Sequence, residues 1–340
     1  MSTTPSVWLL VAAPLILCLP LAAAAAGPCP GNPNALGTSR TIVVDPREHG
    51  RIGTMSYAQT LPLVDKEVVL TFDDGPLPPY TSRILDILAA ECVRATYFIV
   101  GRMARAYPDM VRRVHRAGHT IGTHSMNHPF PFRAQGLERS RSEIEDGIAA
   151  TAAALGDPAA VAPFFRFPGL GRTDPVENYL ASRGLMAWSA DFPADDWRRI
   201  SAAEITRRAL RRLEAKGKGI LLLHDIHPAT ALALPTILAE LKSRGYRIVH
   251  IQPAAAGRPK TPTAAEAWLM HPRRPPALPT IMLAAVQDPD GARIASLSPD
   301  ALCALASRQP PIRAAAKRRQ HHRGSARYAR VPIPDIHASR

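Results

Sequence analysis

Between Glu67 and Ile251 the sequence alternates short, continuous apolar runs with longer amphipathic stretches. Continuous apolar runs are typical of strands that are buried on both faces, and strands that alternate with helices form parallel sheets. The strand candidates are Glu67–Phe72, Ala95–Val100, Thr120–Thr123, Phe164–Phe167, Leu185–Ala190, Gly219–Leu223 and Tyr246–Ile251. The helix candidates are Thr81–Val93, Met103–Ala117, Leu137–Leu155, Pro175–Arg183, Ala202–Lys216 and Pro228–Arg244. An open doubly wound sheet and a closed barrel both fit this order.

The segments on either side of this regular region lack the alternation. Residues 27–62 show little periodicity, and we expect an N-terminal extension that lies on a domain spanning 63–252. Residues 253–340 are rich in Pro, Ala and Arg, which is typical of a disordered tail. Much of the formal net charge of +14 lies in this tail, including the basic cluster Lys317–Arg323. The charge favours either solubility or contact with an anionic cell surface, and we expect no nucleic-acid partner. Nothing in the sequence indicates an oligomeric state.

The first 26 residues have the pattern of an export signal. Val7–Leu21 is almost wholly apolar, and the small residues Ala22–Ala26 that follow suit cleavage near Ala26. A membrane anchor is the alternative, although the apolar run is short and ends in small residues rather than in charge. We therefore expect an exported protein, either periplasmic or secreted.

Export makes a disulfide chemically possible, and cleavage near Ala26 leaves three cysteines. We predict a bond between Cys29 and Cys92, which would tie the extension to the first helix of the domain and leave Cys303 unpaired. Three free thiols are the alternative, because sequence alone does not determine the connectivity.

Two polar motifs that follow predicted strands have the composition of a metal site. Asp73 and Asp74 end the first strand, and a metal ion would relieve the repulsion between adjacent carboxylates. His124 and His128 follow the third strand, and they lie on one side if the segment forms a helical turn. With Asp74 they supply two imidazoles and one carboxylate, the ligand set of catalytic zinc. The same set also describes non-haem iron oxygenases.

Three later strands also end in residues with chemical potential. Arg166 follows the fourth strand, where it can pair with a carboxylate and hold it ionised. Trp197 follows a run of acids after the fifth strand and offers a flat apolar surface for a sugar ring. His224 closes the apolar sixth strand, where an imidazole can donate a proton to a leaving group.

In this order the motifs resemble the signatures of the polysaccharide deacetylase family, carbohydrate esterase family 4, which carries the NodB homology domain. The matching segments are TFDDG at 71–75, HSMNH at 124–128, RFPG at 166–169, DDW at 195–197 and LLHD at 222–225. The resemblance implies an α/β fold, the distorted (β/α)7 barrel of that family. It also implies metal-dependent hydrolysis of N-acetyl groups on an amino-sugar polymer or oligomer, such as chitooligosaccharide or peptidoglycan. A non-catalytic carbohydrate-binding barrel and an O-acetyl xylan esterase are the alternatives.

Carried over motif by motif, the resemblance assigns catalytic roles to four side chains. Asp73 is the general base and Arg166 holds it, while Asp196 orients the general acid His224. The ligands of the divalent metal are Asp74, His124 and His128. Zinc is the first choice for this metal, with cobalt and nickel as alternatives.

The resemblance also assigns residues that contact the substrate. The backbone N–H of Gly169 binds the developing oxyanion, and Trp197 and Leu222 line the pocket of the acetyl methyl group. Many relatives have a tyrosine where this chain has Gly169, so one wall of the groove differs here. The acidic motif is also longer than usual between Asp191 and Asp196, which leaves Asp191 and Asp195 as alternatives to Asp196.

Overall fold

The structure is a computed structural model that describes residues 29–270. The expectations for the export signal, for Cys303 and for the basic cluster Lys317–Arg323 fall on segments 1–28 and 271–340, which lie outside the described residues. Within 29–270, no helix has the length and apolar character needed to cross a membrane.

Strands and helices alternate along the described chain. The strands are β1 (Thr38–Val44), β2 (Arg51–Ile52), β3 (Glu67–Asp73), β4 (Thr96–Ile99), β5 (Thr120–Thr123), β6 (Phe164–Arg166), β7 (Met186–Trp188), β8 (Phe192–Pro193), β9 (Gly219–His224) and β10 (Arg247–Pro253). The α-helices are α1 (Tyr80–Ala90), α2 (Gly101–Ala106), α3 (Pro108–Arg116), α4 (Leu137–Leu155), α5 (Asp174–Ser182), α6 (Ala202–Lys216) and α7 (Pro228–Ser243). All seven predicted strands are therefore present, each within a few residues of its predicted bounds.

The single helix predicted over Met103–Ala117 is wrong, because two helices occupy that stretch. α2 ends at Ala106 and α3 begins at Pro108, and the intervening Tyr107 has φ −133° and ψ 57°, outside the helical region. Proline has no N–H to donate and disfavours a helical residue before it. Pro108 therefore ends one helix and begins the next, at a position where its missing donor costs nothing.

The strands close into a distorted barrel in which every pairing is parallel. Pairings run from β3 through β4, β5 and β6 to β7. The chain then crosses through Ser189–Asp191 into β8, which pairs with β9, and β9 pairs with β3. β10 contacts only the start of β3, through Arg247 and Ile248, and is splayed from the ring. The predicted distorted α/β barrel is thus confirmed, and its distortion lies at this crossing, where no strand pairing joins β7 to β8 among the described residues.

Residues 27–62, which we expected to lie on the domain as an irregular extension, also contribute two strands to its sheet. β1 pairs with β10 from Thr38 and Ile248 to Val44 and Pro253, and β2 pairs with β7. Alternate residues of β1 are buried, so the strand has one face on the core. The sequence interpretation missed β1 because its partner lies about 200 residues away along the chain.

The residues just after the predicted domain end also pack on the barrel. Trp268 is 2% exposed and stacks on His49, with ring centroids 3.4 Å apart. Its carbonyl accepts a hydrogen bond of 2.7 Å from the N–H of Thr60. The start of the predicted disordered tail is therefore part of the folded unit as far as residue 270, because a buried indole anchors it.

Cys29 and Cys92 form a disulfide that joins the N-terminal extension to the turn after α1. Replacing Cys92 with Ser should lower the free energy of unfolding by about 2–4 kcal/mol, because the cross-link restricts the unfolded chain. Denaturant unfolding of the oxidised proteins measures this difference. Cys29→Ser should give the same loss, and the double variant no further loss, since each change removes the same bond. Wild-type unfolding midpoints in both single variants would show that the bond contributes nothing.

Candidate active site

Side chains along each strand point alternately into the barrel and toward the helices, and this alternation places polar side chains inside the barrel at one end. On β3, Val69 packs in the interior cluster, whereas Val68, Leu70 and Phe72 pack against the surrounding helices. Asp73 follows the parity of Val69 and therefore faces inward. On β9, Ile220 and Leu222 lie in the same interior cluster. His224 has the same parity.

Asp73 and His224 are register partners on β3 and β9. Both stand at the carboxyl ends of parallel strands, the end at which barrel enzymes place their active sites. Because β3 and β9 are adjacent, the two residues lie side by side at this end of the barrel.

Asp74, His124 and His128 converge at this end of the barrel. One ligand atom from each lies within 4.8 Å of the others. Asp74 Oδ1 is 3.4 Å from His124 Nε2 and 3.3 Å from His128 Nε2, and it is buried without a hydrogen-bond partner among the described residues. A buried carboxylate oxygen with no donor is costly unless a cation meets it. The three side chains thus fit a divalent metal with N and O ligands.

Asp74 has the ionised carboxylate that a metal ligand needs. Burial alone would raise the pKa of its carboxyl, but His128 and His124 outweigh this effect and hold the pKa below its usual range. The carboxylate is therefore ionised across the physiological range.

A hydrogen bond to the main chain fixes the ring of His124. Its Nδ1 lies 2.7 Å from the carbonyl oxygen of Arg166, and a carbonyl can only accept, so Nδ1 carries the proton. Nε2 then keeps its lone pair and points at Asp74, 3.4 Å away. This is the arrangement by which an outer hydrogen bond orients a metal-ligating imidazole.

The two histidines are brought together by a loop and not by the helical turn that their spacing suggested. Ser125 and His128 have positive φ values of 65° and 52°, and the segment has no helical residue. Ser125 Oγ accepts the N–H of His128 at 3.0 Å, and Glu143 of α4 accepts two hydrogen bonds from Asn127. Positive φ in such residues is uncommon and is held here by these contacts.

Arg166 is fully buried and pairs with Asp73. Its Nη1 donates to Asp73 Oδ1 at 2.6 Å and to Thr71 Oγ1 at 2.8 Å, and its Nη2 donates to the carbonyl oxygen of Ser189 at 2.9 Å. The guanidinium also stacks over the ring of Phe98, 4.1 Å from its centroid. One Asp73 oxygen is thus occupied by Arg166, and Oδ2 faces His124 Nε2 at 3.9 Å.

His224 is oriented by Asp196. His224 Nδ1 lies 2.8 Å from Asp196 Oδ1, and the His224 N–H donates to Asp196 Oδ2 at 2.7 Å. Thr230 of α7 donates to the same Oδ2 at 2.7 Å. Burial alone would lower the pKa of His224, but the charge and hydrogen bond of Asp196 raise it to about 10. The imidazole is therefore a proton donor at neutral pH.

The other two candidate acids have structural partners. Asp191 accepts hydrogen bonds from Thr54, Thr60 and the N–H of Ile220, which tie the extension to the barrel. Asp195 pairs with two arginines of α6, and these contacts hold it away from His224. Its partners are Arg208 and Arg212, at 2.6 and 2.8 Å. Of the three alternatives, the structure brings Asp196 to the imidazole.

The predicted substrate-contact residues surround the site. Trp197 meets His224 edge to face, with ring centroids 5.6 Å apart, and packs with Leu222 in the interior cluster. Gly169 lies in the turn directly after β6 with φ +58°. A Cβ atom there would lie 2.6 Å from the ring of Phe130, so the space beside Gly169 is already filled by an aromatic side chain.

Sequence reasoning missed a residue that holds the Asp73–Asp74 turn. Asp225 is fully buried, accepts the N–H of Gly75 at 3.0 Å and accepts the Thr81 hydroxyl at 2.7 Å. Burial raises the pKa of Asp225 to about 7, although the hydrogen bond from Thr81 opposes the rise. Its place beside His224 in the LLHD segment was the available signal. Thr230 and Glu143 had no such signal, because Thr230 is a single polar residue in an apolar stretch of α7 and Glu143 is one of several charged residues of α4.

Comparison with known proteins gives a consistent result. The model of the family described as polysaccharide deacetylase matches residues 61–188. A peptidoglycan-N-acetylglucosamine deacetylase of Listeria monocytogenes is 34% identical over 187 residues, which are 55% of this chain and 38% of that protein. A chitooligosaccharide deacetylase of Rhizobium leguminosarum is 32% identical over 202 residues, which are 54% of this chain and 89% of that protein.

A solved structure shows the same likeness. A peptidoglycan deacetylase of Bdellovibrio bacteriovorus superposes with a TM-score of 0.58 at 31% identity, over 65% of this chain and 61% of that one. The chain thus spans well under half of the Listeria protein and most of the Rhizobium protein.

Replacing His128 with Ala should weaken zinc binding at least about tenfold, because one of three converging ligands is lost. Competition with a chromogenic chelator measures the Kd. The matched control is His49→Ala, which removes an imidazole that stacks on Trp268 instead. Equal zinc affinity in wild type and His128→Ala would remove His128 from the ligand set.

Replacing Asp196 with Asn should lower the pKa of His224, because the negative charge that raises it is lost while the burial that lowers it remains. NMR titration of the imidazole in the metal-free protein measures the shift. In wild type we expect the ring to stay protonated to about pH 10, and in the variant it should lose its proton at a lower pH. Asp195→Asn is the control and should leave the titration unchanged, and an unchanged titration in Asp196→Asn would contradict the assignment.

Proposed function

Because the chain belongs to the polysaccharide deacetylase family, we propose that it hydrolyses N-acetyl groups on an amino-sugar polymer, with a divalent metal at Asp74, His124 and His128. The observation that carries this proposal is the joint presence of the three ligands with Asp73 and His224, the two groups that hydrolysis requires for proton transfer. Peptidoglycan and chitooligosaccharide are the named substrates of relatives, and they define the class of glycan that we propose.

The chemistry divides between the metal and the side chains. When bound, a divalent metal polarises an amide carbonyl and lowers the pKa of water. Zinc is our first choice because two imidazoles and one carboxylate are a common catalytic zinc set, with cobalt and nickel as alternatives.

Asp73 serves as the general base. Arg166 occupies Oδ1 at 2.6 Å, which fixes the carboxylate and leaves Oδ2 to accept a proton from the attacking water.

His224 serves as the general acid. Its Nδ1 is held by Asp196, so Nε2 carries the proton that passes to the departing sugar amine as the carbon–nitrogen bond breaks. Asp73 and His224 face each other across adjacent strands, so one residue takes a proton while its neighbour supplies one.

The remaining residues position the acetyl group. We assign the Gly169 N–H to the developing oxyanion, where a main-chain donor costs no rearrangement. Leu222 and Trp197 form an apolar wall beside His224, and we assign them to the acetyl methyl group. A small apolar recess excludes water from the site and strengthens the polar contacts within it.

The alternative functions leave parts of the site without a purpose. A carbohydrate-binding barrel does not need a buried Arg166–Asp73 pair or an imidazole held as a proton donor. An iron-dependent oxygenase would have no use for the Asp196–His224 pair. An O-acetyl xylan esterase would use the same groups, and acetylated xylan is therefore part of the substrate panel below.

We also propose that the protein acts outside the cytoplasm. The Cys29–Cys92 disulfide supports this proposal, because such bonds persist in oxidising compartments. N-terminal sequencing of the protein from a fractionated host would test it, and a mature chain that starts near Gly27 is expected.

Acetate release is the direct test of function. Zinc-loaded protein should release acetate from N-acetylglucosamine oligomers or from peptidoglycan fragments, and a chelator should abolish the release until zinc is restored. Acetylated xylan belongs in the same panel, since faster release from it would assign an esterase. No release from any acetylated glycan in the panel would refute the proposal.

Replacing Asp73 with Asn should reduce kcat at least about a hundredfold, because general-base catalysis contributes on that order. Zinc affinity should remain near the wild-type value, since Asp74 and the two histidines are intact. Enzyme assays and chelator competition on one preparation separate the two effects. Full activity in Asp73→Asn would remove this residue from the base role.

A further inference from the structure

An exposed aromatic ring lies beside the metal ligands and has no role in the chemistry above. Phe130 is two residues after His128, and its residue surface is 49% exposed. Among the exposed large apolar residues of the described chain it is the only aromatic one, the others being Met55, Val64, Leu137, Leu232 and Leu269. Aromatic side chains are common in the lining of ligand sites, so the place of this ring beside the metal-ligand loop points to ligand contact.

The position of this ring is fixed by its surroundings. An atom placed at the Cβ position of Gly169 would lie 2.6 and 3.1 Å from two carbons of Phe130, so the ring rests against the turn after β6. The following Phe132 is buried and packs on Phe165 and Phe167, with centroids 6.2 and 5.7 Å apart. The loop is thus anchored on both sides of Phe130, and the ring is held in place before any ligand arrives.

A second aromatic ring lies on the other side of the site. Trp197 packs on His224 and Leu222, on the side of the general acid. Phe130 belongs to the loop that carries the metal ligand His128. Trp197 and Phe130 therefore lie on two different loops at the same end of the barrel. The general acid His224 contacts the first ring, and the metal ligand His128 is on the same loop as the second.

We propose that Phe130 forms a sugar-binding subsite, in which its ring packs on the face of a sugar unit next to the one that loses its acetyl group. This inference rests on the proposed function and deepens it. The C–H groups of a pyranose face carry partial positive charge and meet the negative face of an aromatic ring. We assigned the acetyl group to Trp197 and Leu222 on the His224 side, which leaves the exposed ring of Phe130 for the neighbouring unit.

The subsite makes the KM depend on the length of the oligomer. In this proposal a single N-acetylglucosamine lies on the Trp197 side of Gly169, and only a longer oligomer extends over the exposed face of Phe130. A longer oligomer contacts both, and that added contact is the same in the ground state and in the transition state. It therefore lowers KM without changing kcat.

Kinetics on N-acetylglucosamine and on its β-linked tetramer test the proposal. For Phe130→Ala we expect KM for the tetramer to rise about tenfold with kcat within about twofold, since loss of one aromatic contact is worth on that order. The kcat/KM for the monomer should not change. Phe130→Tyr keeps the ring and should restore the tetramer KM. Val64→Ala is the matched control, because Val64 is an exposed apolar residue just before β3, at the opposite end of the barrel.

Two results would overturn the proposal. The first is an unchanged tetramer KM in Phe130→Ala. The second is an equal loss on monomer and tetramer, which would indicate that the ring only supports the His128 loop; zinc affinity and thermal midpoint report on that support directly.

The subsite can be judged separately from the reaction. Zinc-loaded Asp73→Asn binds oligomers without turnover, and calorimetry gives the Kd of the tetramer with and without Phe130→Ala. About tenfold weaker binding supports the subsite even if wild-type protein releases no acetate, and equal binding refutes it whatever the activity.

Discussion

The buried guanidinium of Arg166 is the interaction on which the active end of the barrel depends. It joins Asp73 and Thr71 of β3 to the carbonyl of Ser189, at the crossing where the barrel closes. The carbonyl of the same residue fixes the ring of His124. A buried charge that loses its partner costs several kcal/mol, so these groups hold each other in position. Arg166 thereby fixes the general base Asp73, orients the metal ligand His124 and joins the strands where the barrel closes.

Local sequence signals predicted the helices whose ends are set by residues next to them in the chain. α4 begins after Gly136 and ends at Gly156, and α6 begins at the Ser201 cap and ends at Gly217, so both bounds were visible in the sequence. The division at Tyr107 was also visible in Pro108, and we misjudged it. β1 was not visible, because its stability comes from β10, a partner that no local pattern identifies.

The candidate site was predictable because parallel strands end on one side of a barrel, so motifs far apart in sequence must meet. The spacing of the acids could not separate Asp196 from Asp191 and Asp195, since the difference lies in their partners. Asp196 meets an imidazole, Asp195 meets arginines, and Asp191 meets hydroxyl groups and main-chain N–H groups. The positive φ of Ser125 and His128 was equally hidden, because the contacts that hold this loop come from α4.

The pairing of β1 with β10 also covers a strand edge that would otherwise be open. β10 carries the apolar residues Ile248, Val249 and Ile251, and over most of its length β1 is its hydrogen-bonding neighbour. A fragment cut to residues 63–252 would leave this run as an open strand edge, which is a template for pairing between chains. Residues that contribute nothing to the chemistry thus cover this strand edge, and the folded unit is longer than the catalytic one.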